Sequence, residues 1–447
     1  MDIQDFQKKV FEKGKDCGFG DMEIFYSSNK SNAVNVLNHE VKSHVITEQG
    51  GVSFRGIYNN NMGYSYTEKI DEKSIDFLVV EAMGNADIMG IDDQEELFAG
   101  ADHYETLHRY SEAVANVSPQ QLIDAAFLME NTALAASPLV KNVIQCVVAK
   151  SEGETIIRNT KGLSCHSKYT NLSAGIYLMA SDGKQTATGG EYDFTLQDLS
   201  KLNFKEIADT AAKEAVSKLG ADSILTGNYP IVFRYDTATQ LVRSFVNNLS
   251  GEVVEKGFSK LQGKLGEKIA GDNITLIDDP LMEDVPGATV FDAEGYPTRK
   301  NELIKAGKLL HFMHNRKTGK KAGRSSTGNA EKSSYSASVS VGPHNLYLQP
   351  GDVSLSEIIA TTDEGIFIVE LQGTNAGINA VSGEFSLYGM GFLIEQGKLG
   401  RPINQITVAG NLYEMLNNVE AIANDLHIKD TVSSPSIKVS LLTVSGK

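Results

Sequence analysis

A chain of 447 residues with 41% hydrophobic content is long enough for about three domains of ordinary size, each with its own core. Its 57 acidic residues against 41 basic ones leave a formal net charge of −16, which repels phosphate backbones and argues against direct nucleic-acid binding. Three scattered cysteines, Cys17, Cys146 and Cys165, without C-x-x-C spacing, argue against a disulfide framework and fit reduced thiols.

The start, Met1-Asp2-Ile3-Gln4-Asp5, has neither the basic segment nor the apolar core of a signal peptide, and no apolar run approaches ~20 residues. A cytoplasmic protein without membrane association is therefore expected. Ile3 to Cys17 reads as an amphipathic helix with Phe6, Val10 and Phe11 inward, stopped by Gly18. Strands are expected over Met22 to Ser27, Asn32 to Leu37, Glu40 to Thr47, Gly51 to Tyr58 and Met62 to Thr67, with Gly50-Gly51 and Asn59-Asn60-Asn61 as tight turns. Asp71 to Ala86 returns to helical periodicity, and the acidic, weakly periodic segment from Asp87 to Val117 reads as a surface connection.

A second unit opens at Ser118, an N-cap followed by Pro119 at the first helical position. Strands are expected over Lys141 to Ser151, Glu154 to Asn159, Leu163 to Ala180 and Gln185 to Phe194, and a helix over Asn203 to Leu219. Both units share the order helix, antiparallel strands, helix, without a shared residue pattern. The third unit begins with the apolar strand Pro230-Ile231-Val232-Phe233 and a helix from Asp236 to Gly251, where Thr237 and Gln240 suggest a capping box. A last helix is expected over Asn411 to Asp425. The predicted class is α+β: two helix and antiparallel-sheet units at 1–86 and 118–225, joined by a linker at 87–117 and followed by a β-rich domain at 226–447.

The usual catalytic signatures are missing. There is no G-x-S-x-G elbow and no G-x-x-x-x-G-K-[ST] loop. His311 and His314 fall in an expected strand, Lys308 to Asn315, where a spacing of three sends side chains to opposite faces and disfavours joint metal ligation. Cys165 and His166 diverge for the same reason, so a structural thiol is expected. Two polar segments stand out. Asp292 and Glu294 sit beside a Gly and Pro turn and read either as an acid/base pair or as turn-forming acceptors. Gly323 to Ala330 offers backbone N–H groups and small hydroxyls that either grip an extended peptide or simply form a loop.

The order and spacing of several segments resemble the TldD/PmbA family, whose members are called modulators of DNA gyrase and metalloprotease subunits. The segments are Gly257, Gly263 and Gly266 after the central helix, Phe291-Asp292-Ala293-Glu294-Gly295, Leu303-Ile304-Lys305-Ala306-Gly307-Lys308-Leu309, Ser326-Thr327-Gly328-Asn329, Ser382-Gly383-Glu384-Phe385 and Leu441-Leu442-Thr443-Val444-Ser445-Gly446. The resemblance covers essentially the whole chain and rests on these segments. In the zinc-bearing branch, TldD, the central helix carries His-Glu-x-x-x-His, with a cysteine near the C-terminus. Counted back from Gly257, the corresponding residues here are Val242, Arg243 and Asn247, and the last cysteine is Cys165. The chain thus resembles the PmbA branch, also called TldE.

That resemblance implies a cytosolic metalloprotease assembly that cleaves unfolded or extended peptides. Zinc is expected in a TldD-type partner, while this chain holds no metal, cofactor or catalytic residue and supplies structure and peptide-binding surface. Arg243, Asn247, Asp292, Glu294, Ser326 and Asn329 are the expected substrate-binding residues. A homodimer stays open beside the heterodimer. The alternative is a non-proteolytic homo-oligomeric binding protein that modulates DNA gyrase.

Overall fold

The computed structural model describes residues 1–88 and 96–447. Helix α1 (Ile3–Asp16) starts where the Asp2 carboxylate accepts from the Gln4 and Asp5 N–H groups, and the chain leaves it through Gly18 at a φ of 92°. Strands β1 (Met22–Leu37), β2 (Glu40–Tyr58) and β3 (Asn61–Thr67) form an antiparallel meander, and helix α2 (Glu72–Ile88) crosses back over it. The breaks expected within β1 and β2 do not occur. Gly50 and Gly51 lie in the ladder opposite Ser28 and Ser27, and a side chain at Gly51 would collide with the Thr67 carbonyl and the Tyr335 ring. These glycines serve close approach rather than a turn.

Of the connection expected over 87–117, residues 89–95 lie outside the described residues. From Leu97 onward it is packed down: Leu97 is buried, the Phe98 ring lies 5.0 Å from Tyr296, and Tyr104 meets Phe291 edge-on. After the short helix α3 (Glu112–Ala115), helix α4 (Pro119–Ala136) opens with a complete capping box between Ser118 and Gln121. Strands β4 (Val140–Asn159), β5 (Ser164–Ser181) and β6 (Thr186–Thr195) and helix α5 (Phe204–Ser217) follow. β4 is again one strand where two were expected, because it stays paired with β5 along its length and with β1 from Val147 to Asn159.

The strand order β3-β2-β1-β4-β5-β6 joins both helix-and-sheet units in one six-stranded antiparallel sheet. Its seam runs from Glu23 opposite Asn159 to Asn35 opposite Val147. Alternation along β1 assigns its faces. Ile24 packs with Phe6, Val10 and Phe54 beneath α1 and α2, whereas Phe25 on the other face meets Ile157, Cys165 and Phe291 of the C-terminal region.

That region is β-rich. Its elements are β7 (Gly227–Phe233), α6 (Tyr235–Val246), α7 (Gly251–Glu255), β8 (Leu276–Asp278), β9 (Asn301–Lys305), β10 (Lys308–Leu309), α8 (Arg316–Lys321), β11 (Ala330–Glu331), β12 (Ser340–Val341), β13 (Leu346–Leu348) and α9 (Leu355–Ala360). There follow β14 (Glu364–Gln372), α10 (Thr374–Gly377), β15 (Glu384–Glu395), β16 (Lys398–Asn411), α11 (Leu412–Asn417), β17 (Val419–Ile422), β18 (Val432–Ser433) and β19 (Ile437–Ser445). The order β16-β15-β14-β7-β19 closes on itself through pairing of β16 with β19, and β17 hangs on β19. A second sheet, β10-β9-β8-β13-β18, faces it across α6.

Two helices differ from expectation. α6 begins at Tyr235 with Arg234 in the N-cap position and no side-chain cap bond. The Thr237 hydroxyl donates to the Arg234 and Ile368 carbonyls instead, so the Thr237–Gln240 box does not form. The last helix ends at Asn417 rather than Asp425, because Val419 to Ile422 pair with β19 as a strand. Among the described residues no helix is long and apolar enough to cross a membrane.

Candidate functional site

The six expected substrate-binding residues divide into three places. Arg243 and Asn247 lie on the outer edge of α6 and the turn after it. Arg243 is exposed, and its guanidinium pairs with Asp430 at 2.7 Å and donates to the Val432 carbonyl at 3.3 Å. Asn247 is exposed, whereas Val242 is 1% exposed within the core between the two C-terminal sheets. A zinc site needs imidazole, thiolate or carboxylate donors that converge. An apolar core side chain, a guanidinium and an outward amide do not fit it. Among the described residues no group of three His, Cys, Asp or Glu side chains converges as metal ligands would.

Ser326 and Asn329 belong to a buried polar knot. Asn329 is fully buried, its amide donating to Asp278 Oδ2 at 2.6 Å and to the Gly342 carbonyl at 3.0 Å, while its Oδ1 accepts from the Thr327 hydroxyl at 2.6 Å. Ser326 Oγ donates to the His314 carbonyl at 3.0 Å and accepts from the Gly328 N–H at 3.0 Å. These polar atoms are spent on the chain's own backbone and on the Asp278 and Thr327 side chains. His314, buried in the same knot, has its imidazole held below its ordinary pKa by burial and then by Arg324, while His311 is exposed, so the two do not share a face.

Asp292 and Glu294 lie where the C-terminal region meets the N-terminal sheet. Asp292 accepts from the N–H groups of Glu294 at 2.9 Å, Tyr296 at 3.0 Å and Ala330 at 3.1 Å, which fixes the turn around Gly295. Burial, and then the Glu294 charge, push its carboxyl up to about 8 against those donors. Glu294 accepts from the Arg316 N–H at 2.8 Å, and burial raises its carboxyl above the ordinary range while Arg55 and Arg316 oppose the shift. Of the six, Glu294 is the one that lines a cavity of about 630 Å³ between sheet and C-terminal region.

The rest of that cavity's polar floor was not anticipated from the sequence. Glu23, 2% exposed, takes the Arg55 guanidinium from the opposite strand position at 2.7 Å and the Asn159 amide at 3.0 Å. Lys332 projects from the C-terminal region onto the sheet, its Nζ donating to Ser53 Oγ at 2.8 Å, the Tyr64 hydroxyl at 3.1 Å and the Tyr335 carbonyl at 3.4 Å. It also lies 4.4 Å from the Phe25 ring centroid and 5.1 Å from that of Tyr64. One signal was available: Glu23 and Phe25, like Ser53 and Arg55, alternate with Ile24, Val52 and Phe54, so this sheet has a second, partly polar face to cover. Cys165 under the same turn is a buried thiol pushed up to about 11 by burial, a structural group.

Three family models match the chain: PmbA/TldA metallopeptidase domain 1 over residues 22–86, the central domain over 112–219 and the C-terminal domain over 226–446. The chain is similar to the metalloprotease PmbA homolog of Haemophilus influenzae, at 25% identity over 93% of this chain and 90% of that protein. It is also similar to the metalloprotease TldD homolog of Buchnera aphidicola, at 24% identity over 95% and 92% of the two chains. A solved structure from Thermotoga maritima, described as a candidate modulator of a DNA gyrase, superposes with a TM-score of 0.92 at 27% identity and covers 99% of this chain and 100% of that one. TldE from Thermococcus kodakarensis has the same fold, with a TM-score of 0.88 at 23% identity over 99% of this chain and 100% of that one. With the three models together spanning most of its length, the chain belongs to the PmbA/TldD family.

Proposed function

We propose that this chain is the PmbA/TldE-type, non-catalytic subunit of a two-chain metalloprotease that cleaves unfolded or extended peptides. Zinc and the proton-transferring carboxylate belong to a TldD-type partner; this chain contributes structure and peptide-contacting surface. The observation that carries the reading is the side-chain set of α6 and the turn after it: Val242 in the core, Arg243 paired with Asp430 and Asn247 outward, at the positions where the zinc-bearing branch has donors. Names from both branches among the full-length relatives support it.

The test is metal analysis and peptide cleavage with the purified chain, alone and mixed with a His-Glu-x-x-x-His partner. Cleavage of unfolded peptide is expected only in the mixture, with less than stoichiometric zinc on this chain alone. Chelator-sensitive cleavage by the chain alone overturns the reading. The description of the Thermotoga structure supports a second reading, a homo-oligomeric, non-proteolytic binding protein acting on gyrase. With a net charge of −16, such a protein would contact the enzyme rather than its DNA. Tight gyrase binding by the chain alone, with no cleavage in the mixture, selects it.

A further inference from the structure

Among the described residues, the cavity at the junction of sheet and C-terminal region holds a cation with no carboxylate in ion-pair contact. Glu23 is matched by Arg55, and at the rim Lys256 pairs with Glu252 at 2.6 Å and Lys321 with Glu255 at 2.8 Å. Lys332 differs. Among the described residues no carboxylate lies within 4.0 Å of its Nζ, whose hydrogen-bond acceptors are a serine, a tyrosine and a backbone carbonyl. By contrast, the well-buried Lys218 sits between Glu214 at 2.9 Å and Glu370 at 3.0 Å. A half-buried ammonium held by neutral acceptors and ring faces gains from an anion brought to it, because Coulomb attraction is strong where water is partly excluded. The neighbouring walls are largely apolar, with Phe25, Met62, Tyr64 and Val339 facing the space.

We propose that this cavity binds a monocarboxylate carried on an apolar stem, with the Lys332 ammonium as its counter-ion. Such a ligand reproduces what the protein leaves unmade: one negative charge at Nζ and hydrocarbon against the walls. Glu294, whose carboxyl burial holds above its ordinary range, is a weaker repulsive neighbour than an ordinary glutamate. Burial also pushes the Lys332 amine down to about 7, so the incoming carboxylate favours the charged form that it pairs with. The same chemistry has two sources, a free organic acid or the C-terminal carboxylate of a peptide, and neither depends on the subunit reading above.

Equilibrium dialysis of the full chain against hexanoate, and against N-acetyl-Leu-Leu as free acid and as amide, tests the proposal. At least one acid is expected to bind about tenfold or more tighter than the amide. Hexanoate alone assigns a small free acid and the peptide acid alone a chain end; both outcomes support the shared chemistry. Lys332→Met is expected to erase the preference and Lys332→Arg to keep part of it, while Val339→Trp, which fills the cavity from the wall, weakens both acids. Equal binding of acid and amide, no binding of either acid at millimolar concentration, or an unchanged preference in a folded K332M overturns it. The acid-against-amide comparison uses the unaltered chain, so a folding defect in a variant does not decide the result.

Discussion

Asn329→Ala separates a structural role from a substrate-binding one. The amide is fully buried and makes three hydrogen bonds, one of them to the Asp278 carboxylate at 2.6 Å. Asp278 is itself 0% exposed, with Oδ1 already taken by the N–H groups of His344 at 3.0 Å and Asn345 at 2.9 Å. Truncation leaves Oδ2 without its donor. A hydrogen bond to a charged group contributes about 2 kcal/mol and a neutral one about 1 kcal/mol, so the three together amount to about 4 kcal/mol. At a urea slope of ~2.5 kcal/mol/M, the transition that unfolds the C-terminal region moves down by about 1.5 M. The chain has no Trp and 16 Tyr residues, so tyrosine fluorescence with far-UV circular dichroism follows it. A shift below about 0.3 M, accompanied by lost peptide binding, refutes the argument and makes Asn329 a contact residue.

Glu294→Gln probes pH dependence. Its folded carboxyl titrates above the ordinary value of 4.5, so the native chain keeps a proton that the unfolded chain releases, and stability falls as pH rises from about 4.5 through the folded pKa. Unfolding midpoints across that window should decline less steeply in E294Q; an identical slope refutes the assignment, and Asp292, shifted the same way, retains the remainder. Lys218→Met strands Glu214 and Glu370, with Arg234 still 3.1 Å from Glu214, and is expected to cost about 2–4 kcal/mol by denaturant titration. Arg243→Ala removes an exposed pair with Asp430 and a long hydrogen bond to the Val432 carbonyl and should cost less than about 1 kcal/mol; a larger loss means that the guanidinium holds β18 in place.

Period and capping chemistry made much of the fold legible. Phe6 and Val10 are buried where helical spacing put them, and Ser118 caps α4 as its side chain predicts. What was misread followed from tertiary pairing. Gly50-Gly51 looks like a turn locally, but pairing with Ser28 and Ser27 of β1 carries the chain straight through. Val419 to Ile422 keep helical spacing beyond Asn411, yet the edge of β19 offers them a ladder. The junction cavity was hidden for a different reason. Glu23, Arg55, Glu294 and Lys332 come from four segments that lie far apart in the chain, and no local pattern says that they meet. Asp292 and Glu294 were legible as a pair, and their turn-forming reading rather than the acid/base one matches the three backbone donors on Asp292.

The stretch β7–α6 holds the C-terminal region together without help from the residues at its outer edge. Phe233, Leu241 and Phe245 lie at most 2% exposed between the closed sheet and the second sheet, each contributing on the order of 2 kcal/mol by burial. Arg243 and Asn247 add nothing to that core, so the fold tolerates many residue types there. Val242 is another matter, because an imidazole in its place enters a packed interior and costs more than it gains. The remaining donor is also missing: Cys165, the last cysteine, packs beneath Gly295 and Phe291. Replacing Val242→His, Arg243→Glu and Asn247→His together is therefore expected to leave a destabilised chain that retains no stoichiometric zinc after gel filtration, by elemental analysis. One tightly held zinc per triple-variant chain refutes this, since it requires that the core open at Val242 and that a third ligand come from elsewhere in the chain.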